Sequence, residues 1–136
     1  MSASTGRFSL YLLTAIVFVL FAAPAAAQNP PPPKGFNVKE LGTIPLGPEI
    51  EGMQGRVLRM SDVTVEPGAA MPAHPHKDRP EIIYVVQGKI TEARNGVTAE
   101  HGPGAVLLMT KDITHSLENR SNEPAVYMAS PIAKQP

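Results

Sequence analysis

Residues 68–88 read GAAMPAHPHKDRPEIIYVVQG. His74 and His76 are two positions apart, and on a β-strand residues i and i+2 point to the same face, so both imidazoles can reach one point. Lys77-Asp78-Arg79-Pro80 reads as a loop. Pro80 keeps Arg79 extended and lets a new strand start at Glu81, and a turn there brings the carboxylate back beside the histidine pair. His115 follows far along the chain, after Lys111-Asp112-Ile113-Thr114, and completes the set from another strand. Histidine and carboxylate together are the usual ligands of zinc, copper, iron, manganese or nickel.

Outward from this stretch the chain alternates short apolar runs with turn residues. Val57-Leu58-Arg59-Met60 leads into Val63-Thr64-Val65, and Glu66-Pro67-Gly68 follows as a turn. Ile82 to Val86 is rich in β-formers and ends at Gly88. Lys89 to Arg94 alternates, Asn95-Gly96 is a strong hairpin signal, and Val97 to Glu100 pairs back across it. Gly102-Pro103-Gly104 is a turn before the apolar strand Ala105 to Met109. Ser116 to Glu118, a polar turn over Asn119 to Pro124, and a last strand Ala125 to Ser130 complete the series. No segment after the N-terminal region holds a helical period, so the pattern predicts an all-β sandwich or barrel.

The spacing is more specific than the ligand types. Gly68, five residues, His74, one residue, His76, four residues, Glu81, six residues and Gly88 follow one another in order. Downstream, Pro103-Gly104 is followed by ten residues and His115, with Asn119 four further on. The two patterns resemble the paired conserved motifs of small single-domain cupins, over about Glu66 to Asn119. That resemblance implies a jelly-roll-like β-barrel. It also implies that His74, His76, Glu81 and His115 ligate one divalent metal ion (zinc, copper, iron, manganese or nickel), that Gly68, Gly88 and Gly104 are structural turns, and that Asn119 holds a structural position after the last ligand. Two departures stand out. Ala105 follows Gly104 where the second motif often has an acid, and Lys111-Asp112-Ile113 stands where a proline-glycine turn often precedes the histidine.

Strand alternation then predicts the pocket wall. With Glu81 inward, Ile83 and Val85 are inward too, while Ile82, Tyr84 and Val86 face away. With His115 inward, so is Leu117, and Pro72 shares parity with His74 and His76. On the next strand either Val106 with Leu108, or Ala105 with Leu107 and Met109, faces inward. The expected cavity is largely apolar around a charged metal, suited to a small molecule that binds through one or two oxygens. Apart from Glu81 no acid or base is singled out beside the metal. His101 reads as an exposed loop histidine, and Tyr127 as a packing residue.

Three imidazoles and one carboxylate leave one or two coordination sites open for water or substrate. One function is therefore a quercetinase-like or other small-molecule dioxygenase. A second is a metal-dependent isomerase or lyase, and a third is a non-catalytic module that captures a metal or small ligand. The sequence does not choose the metal, the substrate or the catalytic groups.

The 136 residues carry 12 basic and 12 acidic side chains, so no charge excess draws in nucleic acid. Cysteine is absent, which excludes disulfides, thiolate ligands and cysteine nucleophiles. Arg7 followed by the apolar run Phe8 to Ala23, Pro24 and Ala25-Ala26-Ala27 reads as a secretory signal helix over residues 1–27. The run is short against the ~20 residues of a bilayer span, so export to the periplasm or beyond, with no stable membrane association after cleavage, is the expectation. Residues 28–35 contain Asn29-Pro30-Pro31-Pro32-Pro33-Lys34 and read as a proline-rich linker in extended polyproline conformation. The barrel domain is placed over residues 36–136. Phe36 to Ile50 either packs on its own barrel or lies along a partner's sheet edge in a homodimer.

Overall fold

The computed structural model describes residues 32–135, so the expected signal helix and half of the linker lie outside the described residues. The last linker residues form a turn, closed by Phe36 N–H donating to Pro33 O at 3.0 Å. The described residues form nine strands: β1 Phe36–Pro45, β2 Arg56–Val65, β3 Ala70–Pro75, β4 Glu81–Gln87, β5 Ile90–Arg94, β6 Val97–His101, β7 Val106–Met109, β8 Thr114–Glu118 and β9 Ala125–Lys134. Among the described residues no helix is long and apolar enough to cross a membrane.

The strands form two antiparallel sheets, a five-stranded one in the order β1-β2-β9-β4-β7 and a four-stranded one in the order β3-β8-β5-β6. Their inner faces enclose the core, as in a jelly-roll barrel. Phe36, Val63, Val65, Ile83, Val85, Leu107, Met109, Ala125 and Tyr127 from the first sheet meet Ile90 and Leu117 from the second. The alternation is sharp on β4, where Glu81, Ile83 and Val85 are buried and Ile82, Tyr84 and Val86 exposed. On β7 the inward pair is Leu107 and Met109, which decides the parity left open by the sequence.

Turn chemistry sets the registers. Asn95 and Gly96 both have positive φ, 51° and 77°, as the two central residues of a type I′ turn require, and Arg94 pairs with Val97 across them. Gly88 has φ 70°, and a Cβ there would lie 2.7 Å from Pro124 O, so the β4–β5 turn admits only glycine.

Three findings depart from simple alternation. The β3–β8 register shifts between Met71 and His74, so these two residues, three apart, both turn inward while Pro72 is exposed. Pro72 is therefore not a pocket residue, because the bulge breaks the parity that joined it to His74. The last strand also outruns its expected end at Ser130, continuing through Pro131 to Lys134. Pro131 is tolerated because its ladder to β2 is interrupted there, between the pairs Leu58↔Ile132 and Ser61↔Ala129. The segment after Phe36 pairs with its own barrel, as β1 against β2, with a further irregularity at Glu40/Gly42.

Candidate metal centre

One strand pairing and one backbone hydrogen bond beyond it assemble the histidines in the second sheet. The β3–β8 register sets His74 directly opposite His115, and just past β3 the His76 N–H donates to Ile113 O at 2.9 Å. One potential ligand atom from each of His74, His76 and His115 lies within 4.8 Å of the others. His76 and His115 are fully buried, at 0% and 1% exposure, and His74 is half-buried.

Each imidazole has its Nδ1 held by an acceptor. His74 Nδ1 donates to Pro72 O at 3.0 Å, His76 Nδ1 to Arg79 O at 3.1 Å, and His115 Nδ1 to Glu92 Oε1 at 2.7 Å. These acceptors place the ring proton on Nδ1 and leave an unshared pair on each Nε2. The Nε2 atoms of His76 and His115 then face each other at 3.0 Å. Two lone pairs at that distance repel unless a cation or proton lies between them. It is also the separation of two nitrogens each about 2.1 Å from one ion and about 90° apart. The donor set therefore fits a divalent metal. Burial pushes the His76 pKa down to about 4; the Arg79 carbonyl opposes this, and the charges of His115, His74 and Arg79 reinforce it. Burial also lowers His115, against the opposing hydrogen bond to Glu92. Neutral rings are the ligating form.

Glu81 is not among the residues whose ligand atoms lie within 4.8 Å of one another. It is buried at the start of β4, with Oε2 3.5 Å from His76 Nδ1 and Oε1 3.6 Å from Arg79 Nη2. Burial raises its pKa, and the Arg79 charge partly opposes the rise. The structure thus brings three of the four expected ligands together and sets the fourth, Glu81, beside the His76 ring. Gly68, Gly88 and Gly104 all have positive φ, at 75°, 70° and 88°. Asn119 is 1% exposed and fully bonded. Its Nδ2 donates to Val65 O and Glu123 O, and its Oδ1 accepts from Ser121 N–H and Oγ–H. Tyr127 belongs to the apolar core, where burial and the Glu81 charge keep its phenol protonated.

The sequence reading missed an acid. Glu92 on β5 is 5% exposed, and besides His115 its Oε1 accepts from Arg94 Nη2 at 2.6 Å and Nε at 3.0 Å. Its Oε2 lies 3.2 Å from His101 Nε2. Burial alone would raise the Glu92 pKa, but the hydrogen bonds from Arg94 and His115 outweigh it and hold the carboxyl below its ordinary value. His101 is therefore a partly buried member of this network at the end of β6, not an exposed loop residue, because its parity matches that of Ile90, its β5 partner. The inner wall near the metal histidines is charged as well as apolar. The available signal was parity: Glu92 and Arg94 alternate with Ile90 on one strand whose hairpin register Asn95-Gly96 fixes.

Between the β5–β6 hairpin and β7 lies an open cavity of about 290 Å³ whose lining includes Glu92, Arg94, His101, Val97, Val106 and Leu108. The three ligating histidines do not line it. Glu92 stands between them and it, bonded to His115 on one side and His101 on the other.

With fold and site in view, the comparisons with known proteins agree. The cupin domain family matches residues 61–131, just over half of the chain. The chain belongs to the cupin family. A curated relative is the tetracenomycin polyketide synthase protein TcmJ of Streptomyces glaucescens, 28% identical over 79 residues, which cover 57% of this chain and 53% of that one. The chain thus spans about half the length of that relative. Among solved structures, the polyketide cyclase RemF of Streptomyces resistomycificus superposes with a TM-score of 0.61 at 19% identity, over 76% of this chain and 69% of that one. KdgF of a Halomonas species superposes with a TM-score of 0.59 at 20% identity, over 79% and 87%. At such identities the structural likeness establishes the jelly-roll fold.

Proposed function

We propose that this cupin is an exported metalloenzyme acting on a small, oxygen-rich organic molecule, with a quercetinase-like dioxygenase as the leading reaction class. The observation that carries the reading is the set of three histidines with every Nδ1 held by an acceptor and the free Nε2 atoms of His76 and His115 3.0 Å apart. A divalent ion held there supplies a Lewis acid and, where it is iron, copper, manganese or nickel, a centre for dioxygen chemistry. Glu81, 3.5 Å from the His76 ring, enters the proposal as fourth ligand. The chain's own groups fix the imidazoles, exclude bulk water from His76 and His115, and present a cavity with charged and apolar walls. The polyketide association in the name of the curated relative supports a phenolic or enolisable substrate.

Elemental analysis of protein from its native compartment, followed by oxygen-uptake assays with phenols and enediols, tests the reading. Oxygen consumption tied to substrate loss supports the dioxygenase. Product formation without oxygen uptake assigns an isomerase or lyase instead, and tight ligand binding without turnover assigns a capture module. Export through the 1–27 segment implies metal loading outside the cytoplasm, where zinc and copper outcompete manganese and iron. Cleavage before Gln28 is checked by N-terminal sequencing, and a native metal content of mainly manganese or iron would sink the loading argument.

Self-association belongs to the same proposal. Ile82 pairs with Leu108 and Tyr84 with Val106 across β4 and β7, and all four are exposed on the outer face of the first sheet. A second copy of the chain covering this apolar face accounts for it, and light scattering of the mature protein measures whether one does.

A further inference from the structure

We propose that Glu92 is the positioning residue of the metal centre, holding the His115 ring so that its Nε2 faces the ion. This rests on the metal reading above. The register does the placing: β5 pairs with β8 so that Arg94 lies opposite His115 and Glu92 opposite Leu117, with all four side chains turned into the barrel. From there the Glu92 carboxylate meets the His115 Nδ1–H at 2.7 Å, the shortest of the three bonds that fix the ligating rings.

The three rings are not held alike. His74 and His76 donate to backbone carbonyls within their own local segment, Pro72 O and Arg79 O, so any sequence that keeps the backbone keeps those bonds. His115 depends on a side chain 23 residues away in sequence. That side chain is itself braced. Arg94 grips Oε1 through Nη2 and Nε, and its Nη2 also touches Met109 Sδ at 3.3 Å. His101 stands against Oε2. The brace fixes the carboxylate on two sides, and its negative charge is offset by Arg94, so His115 can stay neutral and keep its Nε2 pair for the metal. A carboxylate acting on a ligating imidazole in this way fixes the tautomer and raises ligand basicity, and losing it weakens metal binding by about 10- to 100-fold.

The test is a titration of the metal-free protein with Co²⁺, followed by its visible ligand-field bands. The wild type, Glu92→Ala and Glu92→Gln are compared. Glu92→Ala is expected to bind cobalt about 10- to 100-fold more weakly and with shifted bands. Glu92→Gln, whose side-chain carbonyl still accepts the Nδ1–H, is expected to restore most of the affinity. A Glu92→Ala protein with wild-type affinity and superimposable bands overturns the inference while leaving the metal centre standing, and so does a Glu92→Gln protein as weak as Glu92→Ala. A wild type that binds no cobalt overturns the metal reading itself. Nitrogen-15 spectra of the metal-free wild type give a check that needs no variant to fold: His115 is expected to carry its proton on Nδ1. A His115 ring with no proton on Nδ1 refutes the positioning role.

Discussion

On β4 of the five-stranded sheet the inward residues are Glu81, Ile83 and Val85; on β5 of the four-stranded sheet they are Ile90, Glu92 and Arg94. The same two-residue period makes both stripes. In the first sheet the stripe continues as Leu107 and Met109 on β7 and Ala125, Tyr127 and Ala129 on β9, an almost wholly apolar face. In the second it continues as His115 on β8, His74 on β3 and His101 on β6. Burial of apolar area stabilises the first face directly. The second buries charges and imidazoles, which is tolerable only because each is hydrogen-bonded to a named partner. Apart from Glu81, one sheet thus supplies cohesion and the other chemistry, and substitutions should separate the two.

The largest expected effect is on cohesion. Leu107 is 3% exposed between β4 and the core, so Leu107→Ala should cost about 3 kcal/mol, within the ordinary range for a buried leucine. For a domain of this size that lowers the melting temperature by roughly 10–20 °C. Calorimetry measures it, and metal stoichiometry in the folded fraction should stay unchanged. His76→Ala should do the reverse. Removing a ligand should weaken cobalt or zinc binding by more than the roughly 10- to 100-fold lost with an outer-shell partner, while circular dichroism keeps the strand signature. Saturating metal should raise the wild-type melting temperature, because it binds only the native state, and leave that of His76→Ala nearly unmoved. Full occupancy in His76→Ala would dissolve the contrast between the sheets.

Acid should sharpen the same contrast in the metal-free protein. His76 has a folded pKa of about 4 against 6.5 unfolded, and His115 is lowered as well. Between those values the unfolded chain binds more protons, so stability falls as pH drops from about 6.5 toward 4. Glu92, held low, adds a loss in the same direction below the ordinary carboxylate value of 4.5. Glu81 is raised, so its contribution is present at low pH and lost as pH rises, and it offsets part of the histidine loss. Denaturant midpoints measured at pH 7 and pH 5 should differ in the wild type and differ less in a His76→Phe protein, which removes one titrating ring while filling its volume. Equal midpoints in the wild type would show that the second sheet's buried rings carry no proton linkage.

How much of this was legible in the sequence follows from the range of the interactions. The β4 alternation, the Asn95-Gly96 turn and the His74/His76 pair are local signals, and the glycine-histidine spacing added His115. What escaped depends on pairing between distant strands. Glu92 and Arg94 lie in the alternating run Lys89 to Arg94, and only the β5–β8 register sets them beside Leu117 and His115. Pro72 was misplaced because a bulge between Met71 and His74 leaves no mark in the residue pattern. Pro131 read as the end of a strand, and only the gap in the β2–β9 ladder explains why β9 passes through it.

The smallest expected effect probes where the chemical sheet ends. Gly96 sits at φ 77° in the type I′ turn, and a Cβ there meets nothing within 4 Å, so Gly96→Ala is penalised by backbone conformation alone. The cost should be about 1 kcal/mol, read as a shift in denaturant midpoint. The strain falls on the β5–β6 hairpin, and β6 is an edge strand. β5, however, is also paired on its other side, with β8 from Thr91 to Arg94. Glu92 should therefore keep its place against His115 when β6 loosens, and only the His101 contact should weaken. Cobalt affinity in Gly96→Ala should match the wild type within about threefold, far less than the 10- to 100-fold expected for a lost carboxylate partner. A parallel fall in affinity and stability would mean that the hairpin itself, through His101, belongs to the metal centre.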